Sequence, residues 1–197
     1  MKNLRLSIAT LLFPVLLFVS CRQHVTGSGE IITDERMMDP FQSVEMLGAG
    51  DFEIIHGEVQ KVAVSGYENL VPLIETTVKK GKLVITTNDE MTLGNSHMKI
   101  RVTTPQLREA TLAGAGNMDI SSFRLSYLKI VLKGAGNVRF SNSESDTIYA
   151  TLSGAGNMFF IANSYLEATV NGVGNIEYAG DPVVKSKISG VGGVTKK

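Results

Sequence analysis

The chain has 197 residues, 43% of them hydrophobic, with 19 Lys and Arg balanced by 19 Asp and Glu and a single cysteine. The balance supplies no basic field for nucleic acid and no electrostatic handle for a strongly charged partner. One thiol excludes an internal disulfide framework.

Lys2 and Arg5 precede an almost unbroken apolar run from Leu6 to Val19, which ends at Ser20-Cys21. A run of roughly 14 residues falls short of the roughly 20 that a membrane-crossing helix needs, so residues 1–20 read as a signal segment. Leu17-Phe18-Val19-Ser20-Cys21 resembles a bacterial lipobox, with Phe18 where Leu is usual. The resemblance implies cleavage before Cys21 and acylation of its thiol. Acyl chains would hold the protein to a membrane, since each buried methylene contributes about 0.8 kcal/mol. The chain from Cys21 onward is long enough for one domain with a real core or two small ones. Its location is predicted to be the cell envelope, as an outer-membrane lipoprotein.

Residues 21–39 are polar and mixed, with Gly27-Ser28-Gly29 and Asp34-Glu35-Arg36, and are predicted to be a tether leading into an edge strand near Glu30 to Thr33. The domain proper is placed at 40–197. From Phe41 the apolar positions fall two apart, the period of a strand with one buried face. Two early corners, Gly48-Ala49-Gly50-Asp51 and Gly66-Tyr67-Glu68-Asn69, read as degenerate turns of one repeat. Residues 73–104 break the spacing and are predicted to be an irregular hairpin insertion. Its turn is Lys79-Lys80-Gly81-Lys82, its loop is Asn88 to His97, and a strand around Ile100 is halted by Pro105.

Beyond Pro105 a corner recurs: Gly114-Ala115-Gly116-Asn117, Gly134-Ala135-Gly136-Asn137, Gly154-Ala155-Gly156-Asn157, Gly172-Val173-Gly174-Asn175 and Gly190-Val191-Gly192-Gly193. From Gly114 to Gly190 the corners follow one another at a near-constant step of roughly 20 residues, which marks a solenoid. The alternation predicts inward columns through Ala110 and Leu112, Ile130 and Leu132, Ala150 and Leu152, Ala168 and Val170, and Ser186 and Ile188. Beyond the corners the inward set is Met118 and Ile120, Val138 and Phe140, Met158 and Phe160, Ile176 and Tyr178, then Val194. Glu109, Thr111, Asp119, Lys129, Lys133 and Arg139 are expected to face water. The corner glycines, with Gly48 and Gly50, permit tight turning. Asp51, Asn117, Asn137, Asn157 and Asn175 are expected to satisfy backbone groups between rungs, a structural role rather than a ligand-binding one.

These corners, with Gly27-Ser28-Gly29 and Phe41-Gln42-Ser43-Val44, resemble the putative auto-transporter adhesin head GIN domain family of Bacteroidetes-type bacteria. The resemblance spans roughly Gly29 to Val194. It implies an all-β fold, a single-stranded right-handed β-helix or solenoid with a less regular β-rich N-terminal part.

No constellation supports catalysis. His24, His56 and His97 are scattered, so no metal site or Cys-His pair forms, and no cofactor is expected. Gly114-Ala115-Gly116 lacks the full dinucleotide fingerprint and its strand-to-helix setting. Asp119, Glu144, Asp146, Glu167, Glu177 and Asp181 do not recur at one rung position, which disfavours a polysaccharide-processing enzyme. The expected role is non-catalytic, with carbohydrate, an envelope protein or a second copy as partner, and a purely structural scaffold as the alternative. Tyr127, Tyr149, Phe159 and Tyr165 are the candidate outward aromatics.

Overall fold

The computed structural model describes residues 23–87, 91–94 and 97–197; the leader and Cys21 lie outside them. Every described element is a strand except the single 3-10 turn Val71–Leu73. Gln23–Thr26 and Met91–Gly94 form a separate parallel pair, so part of the segment expected as a loop is a strand. The other sixteen strands make one continuous sheet.

That sheet is folded over at its longest strand, Ala155–Val170. The first residues of the strand pair with Ala135–Ser141, and its second half pairs with Glu144–Leu152. Two wings therefore face each other across the core. One contains Ala49–His56, Ala115–Ser121 and Ala135–Ser141. The other contains Ser43–Met46, Glu109–Leu112, Arg124–Leu132 and Glu144–Leu152.

The sequence step is one passage through both wings. Asn117 pairs with Asn137 and Asn137 with Asn157, all in parallel and in register. The step shortens from 20 between Asn137 and Asn157 to 18 between Asn157 and Asn175. The longer passages bend between wings at Ser122 and Asn142, which take φ of 67° and 47°. The shorter passage crosses from wing to wing within the single strand Ala155–Val170.

Alternation places Leu112, Leu132, Leu152 and Val170 in one fully buried column and Ile120, Phe140 and Phe160 in another on the facing wing. Each such side chain contributes about 1.5 to 3 kcal/mol by leaving water. The core runs without a gap from Phe41 to Ile176.

The right-handed β-helix expected from the family resemblance is not what forms. The fold is all-β, but it is a curled half-barrel of mixed parallel and antiparallel strands. Ile31–Met37 lies antiparallel to Lys61–Tyr67, which lies antiparallel to Lys99–Thr104. Ile74–Lys79 lies antiparallel to Lys82–Thr87. Residues 52–104 lack the recurrent corner, and tight reversals such as Lys80-Gly81, with φ of 52° and 73°, send the chain back beside itself. Gly48-Ala49-Gly50-Asp51 does stack beneath the later corners, with Ala49 opposite Ala115 and Asp51 opposite Asn117. Gly66-Tyr67 does not; it ends a strand whose Tyr67 opposes Ile31. Ile31–Met37, within the segment expected as a tether, is thereby an edge strand of the sheet.

The N-terminal end of the half-barrel is closed. From Ile31–Met37, Arg36 Nη1 donates to the Ile74 carbonyl at 2.6 Å and Nη2 to the Val71 carbonyl at 3.3 Å. This guanidinium ties the edge of one wing to the edge of the other over buried Leu70, Val71 and Ile74.

Candidate recognition surface

The corners explain why the wings can stack so closely. A Cβ on Gly134 would overlap the Gly114 carbonyl oxygen, so this first glycine is required by the approach of the rung below. Gly136 has φ of 147° as well as the same overlap with the Gly116 carbonyl, so both conformation and space require it. Gly50, Gly116, Gly156, Gly174 and Gly192 share this positive φ, while Gly48, Gly114, Gly154, Gly172 and Gly190 stand at the first corner position.

Beside the second glycines runs an exposed asparagine ladder on the outer face of one wing. Asn117 Nδ2 donates to Asp51 Oδ1 at 3.2 Å, and Asn137 Nδ2 to Asn117 Oδ1 at 3.1 Å. Higher up, the backbone joins: Asn157 N donates to Asn137 Oδ1 at 3.1 Å and Asn175 N to Asn157 Oδ1 at 3.0 Å. Gly193, which replaces the fifth asparagine, donates its N–H to Asn175 Oδ1 at 3.0 Å and offers no side chain onward. The amide groups bond along the column, from rung to rung.

Several flanking charges on this wing are engaged as well. Arg101 Nε meets Glu53 at 2.8 Å, Asp119 accepts from Ser141 Oγ at 3.1 Å, and Lys197 meets Glu177 at 3.4 Å. Lys197 Nζ also sits 5.2 Å from the centre of the Phe159 ring. Asn137, Arg139, Asn157, Phe159, Glu177 and Lys197 line a shallow depression of about 470 Å³.

The outer face of the opposite wing differs. Tyr127 and Tyr149 lie 5.6 Å apart between ring centres, and Tyr149 and Tyr165 lie 6.0 Å apart, tilted by 41° and 55°. Strand register creates this strip: Tyr127 and Tyr165 both oppose Thr147, and Tyr149 stands two positions further along the same strand. Tyr127 is 41% exposed and Tyr149 37%. Tyr165 donates its hydroxyl to Glu167 Oε2 at 3.0 Å, and Glu167 also meets Lys185 at 3.3 Å. The hydrogen bond to Glu167, followed by partial desolvation and the carboxylate's own charge, raises the Tyr165 pKa above its ordinary value; Lys185 opposes this.

Three of the four expected outward aromatics thus form one strip, and Phe159 belongs to the other wing. The tyrosines are not spaced at the repeat step, so the strip becomes visible only once the register is known. Two facing expectations are corrected. Thr111 is buried, at 3% exposure, beside Glu109. Ser186 and Ile188 are exposed because no further rung covers them among the described residues.

The ladder acids do not converge. Glu144 meets Arg124 at 3.4 Å, Glu167 serves Tyr165 and Lys185, and Asp181 is bound by Lys196, which lowers the carboxyl's pKa and raises that of the ammonium. Among the described residues no group of three or more His, Cys, Asp or Glu could hold a metal ion, and no helix is long and apolar enough to cross a membrane.

A family model described as "Putative auto-transporter adhesin, head GIN domain" matches residues 40–158 and 124–182. Among solved structures, a putative adhesin from Bacteroides fragilis is 20% identical with a TM-score of 0.62, over 88% of this chain and 100% of that one. A putative lipid binding protein from Parabacteroides distasonis is 19% identical with a TM-score of 0.55, over 89% and 100%. At these identities the two likenesses establish the fold. No curated protein matches the chain.

Proposed function

The chain belongs to the putative auto-transporter adhesin, head GIN domain family, and on that premise we propose that it is an envelope adhesin that contacts carbohydrate through Tyr127, Tyr149 and Tyr165. The chain is non-catalytic. The observation that carries the carbohydrate reading is the tyrosine strip, exposed at Tyr127 and Tyr149 and half-buried at Tyr165, continuous over three consecutive rungs of a well-packed sheet. A tyrosine presents an apolar ring and a polar tip, which suits the C–H face and hydroxyl rim of a sugar. Mounting the rings on strands rather than loops reduces the ordering needed on binding. The family's description and the name of the Bacteroides fragilis protein support adhesion as the setting.

Acyl chains on Cys21 anchor the domain to the membrane, outer membrane included, with the strip available to glycans of the envelope or its surroundings. Cys21→Ala then moves the protein from the membrane fraction to the soluble one, and unchanged membrane association would count against the anchor.

Residues 22–197 contain every described strand and the whole core, so this span suits binding work. Against a glycan panel, Tyr127→Ala with Tyr149→Ala weakens binding by about tenfold or more, while Lys133→Ser leaves it unchanged. Equal binding by the tyrosine variant overturns the assignment of the strip. The second reading, a structural scaffold, is favoured by the asparagine ladder, whose amides bond within their own column. Absence of binding to every glycan and envelope fraction would leave that reading in place.

A further inference from the structure

Exposed aliphatic side chains are concentrated at the two ends of the half-barrel. At the C-terminal end are Val183 and Val191, 71% and 70% exposed, with Val184 and Ile188 beside them. At the N-terminal end are Ile31 and Met37, 59% and 73% exposed. The interior faces of the ends differ. Arg36 and the turn Val71–Leu73 close the N-terminal end, whereas Val184 and Ile188 occupy inward columns that nothing covers among the described residues. A stacked sheet needs a cap at such an end, because an open rung exposes both its apolar face and its unpaired backbone groups.

The edge strands also differ in charge. Val183–Ile188 and Val194–Lys196 carry Lys185, Lys187 and Lys196 and no acid. Ile31–Met37 and Ile74–Lys79 carry Asp34, Glu35 and Glu75 with Arg36 and Lys79; Arg36 Nε pairs with Asp34 at 2.7 Å and Lys61 with Glu35 at 2.9 Å, which leaves Glu75 as the acid of these two strands with no ion pair among the described residues. The Asp34 and Glu35 side chains remain 46% and 61% exposed. Lys185 is held by Glu167 and Lys196 by Asp181, so Lys187 is the lysine of the open end with no ion pair among the described residues, and it complements Glu75 at the closed end. The two edge strands of the tyrosine-bearing wing, Val183–Ile188 and Ile74–Lys79, are moreover equal in length.

From these observations we infer that the open C-terminal end of one copy docks on the closed N-terminal end of a second copy of this chain, head to tail. Lys185 and Lys187 face Glu75 and the acids of Ile31–Met37, and Val184 and Ile188 are covered. A head-to-tail contact uses two different patches, so it propagates into open chains unless a rotation closes it into a ring. Lys-rich edges hinder indiscriminate strand pairing; here they select an acidic edge.

The test is sedimentation velocity of residues 22–197 over a concentration series. Growth beyond the dimer with rising concentration, reduced by high salt, is the expected result. Lys185→Glu with Lys187→Glu, and separately Glu35→Gln with Glu75→Gln, each weaken assembly about tenfold or more. Each blocked variant keeps one intact end, so mixing the two restores a one-to-one dimer that does not grow. Circular dichroism and thermal melting confirm that both variants fold. A wild-type chain that stays monomeric at all concentrations overturns the inference. So does undiminished dimerisation by Glu35→Gln with Glu75→Gln, which would mean that two open ends meet.

Discussion

Asn137 Nδ2 donates to Asn117 Oδ1 at 3.1 Å, and the Asn137 Oδ1 in turn accepts from the Asn157 N–H at 3.1 Å. One side chain therefore links three successive rungs. Asn137→Ala removes both links and leaves the Asn157 N–H to water. Each net hydrogen bond contributes about 0.5 to 1.5 kcal/mol, so a loss of about 1 to 2 kcal/mol in urea unfolding is expected. A change indistinguishable from zero would remove the structural role assigned to the ladder.

The corner glycines separate two effects that a sequence cannot. At Gly136 an added Cβ overlaps backbone and φ is 147°, whereas at Gly81 φ is 73° with open space around it. Gly81→Ala should then cost only the conformational penalty, about 1 to 2 kcal/mol. Gly136→Ala must also push two rungs apart and should cost about 3 kcal/mol or more. Equal melting temperatures for the two variants would contradict close approach as the reason for the corner.

The all-β class and the stacking of the later corners were legible because period-two alternation and a recurring Gly-x-Gly-Asn are local features of the chain. The curled, mixed topology was not. It depends on which way the chain returns after Met37 and Tyr67, and two antiparallel pairings decide that through contacts far apart in sequence; the hairpin at Lys79-Lys80-Gly81-Lys82 is local and was legible. The same limit hid the closing role of Arg36, whose partners Val71, Ile74 and Thr76 lie well beyond any local window. It hid the tyrosine strip too, since the three residues meet only through register. Alternation gave the inward face of Ile188 correctly but could not show that it stays uncovered among the described residues.

Leu132 and Ile188 occupy the same inward column, three rungs apart, yet Leu132 is fully buried and Ile188 is 48% exposed. Leu132→Asp should therefore cost about 4 kcal/mol or more, by burying an unpaired carboxylate. Ile188→Asp should cost about 1 kcal/mol or less and Lys133→Ser within about 0.5 kcal/mol. Chemical denaturation at low protein concentration checks this ordering. Comparable losses at Leu132 and Ile188 would mean that the last rung is covered after all.

Tyr165 offers a pH test of the strip. Its hydroxyl donates to Glu167, and the neighbouring carboxylate disfavours a phenolate, so its folded pKa lies above the ordinary value of about 10. The sign follows from the raised value. The neutral, donating tyrosine is favoured in the folded state, so its contribution is complete below the unfolded pKa and is lost as pH rises through the folded one. Glu167→Gln removes the charge and weakens the acceptor, and the Tyr165 midpoint should fall toward the ordinary value. Carbon-13 shifts of the tyrosine ring followed across the alkaline range resolve Tyr165 from Tyr127 and Tyr149. A midpoint unmoved by Glu167→Gln would show that the Tyr165 hydroxyl is free of Glu167, and the hydroxyl would then be available to a bound sugar without first breaking that bond.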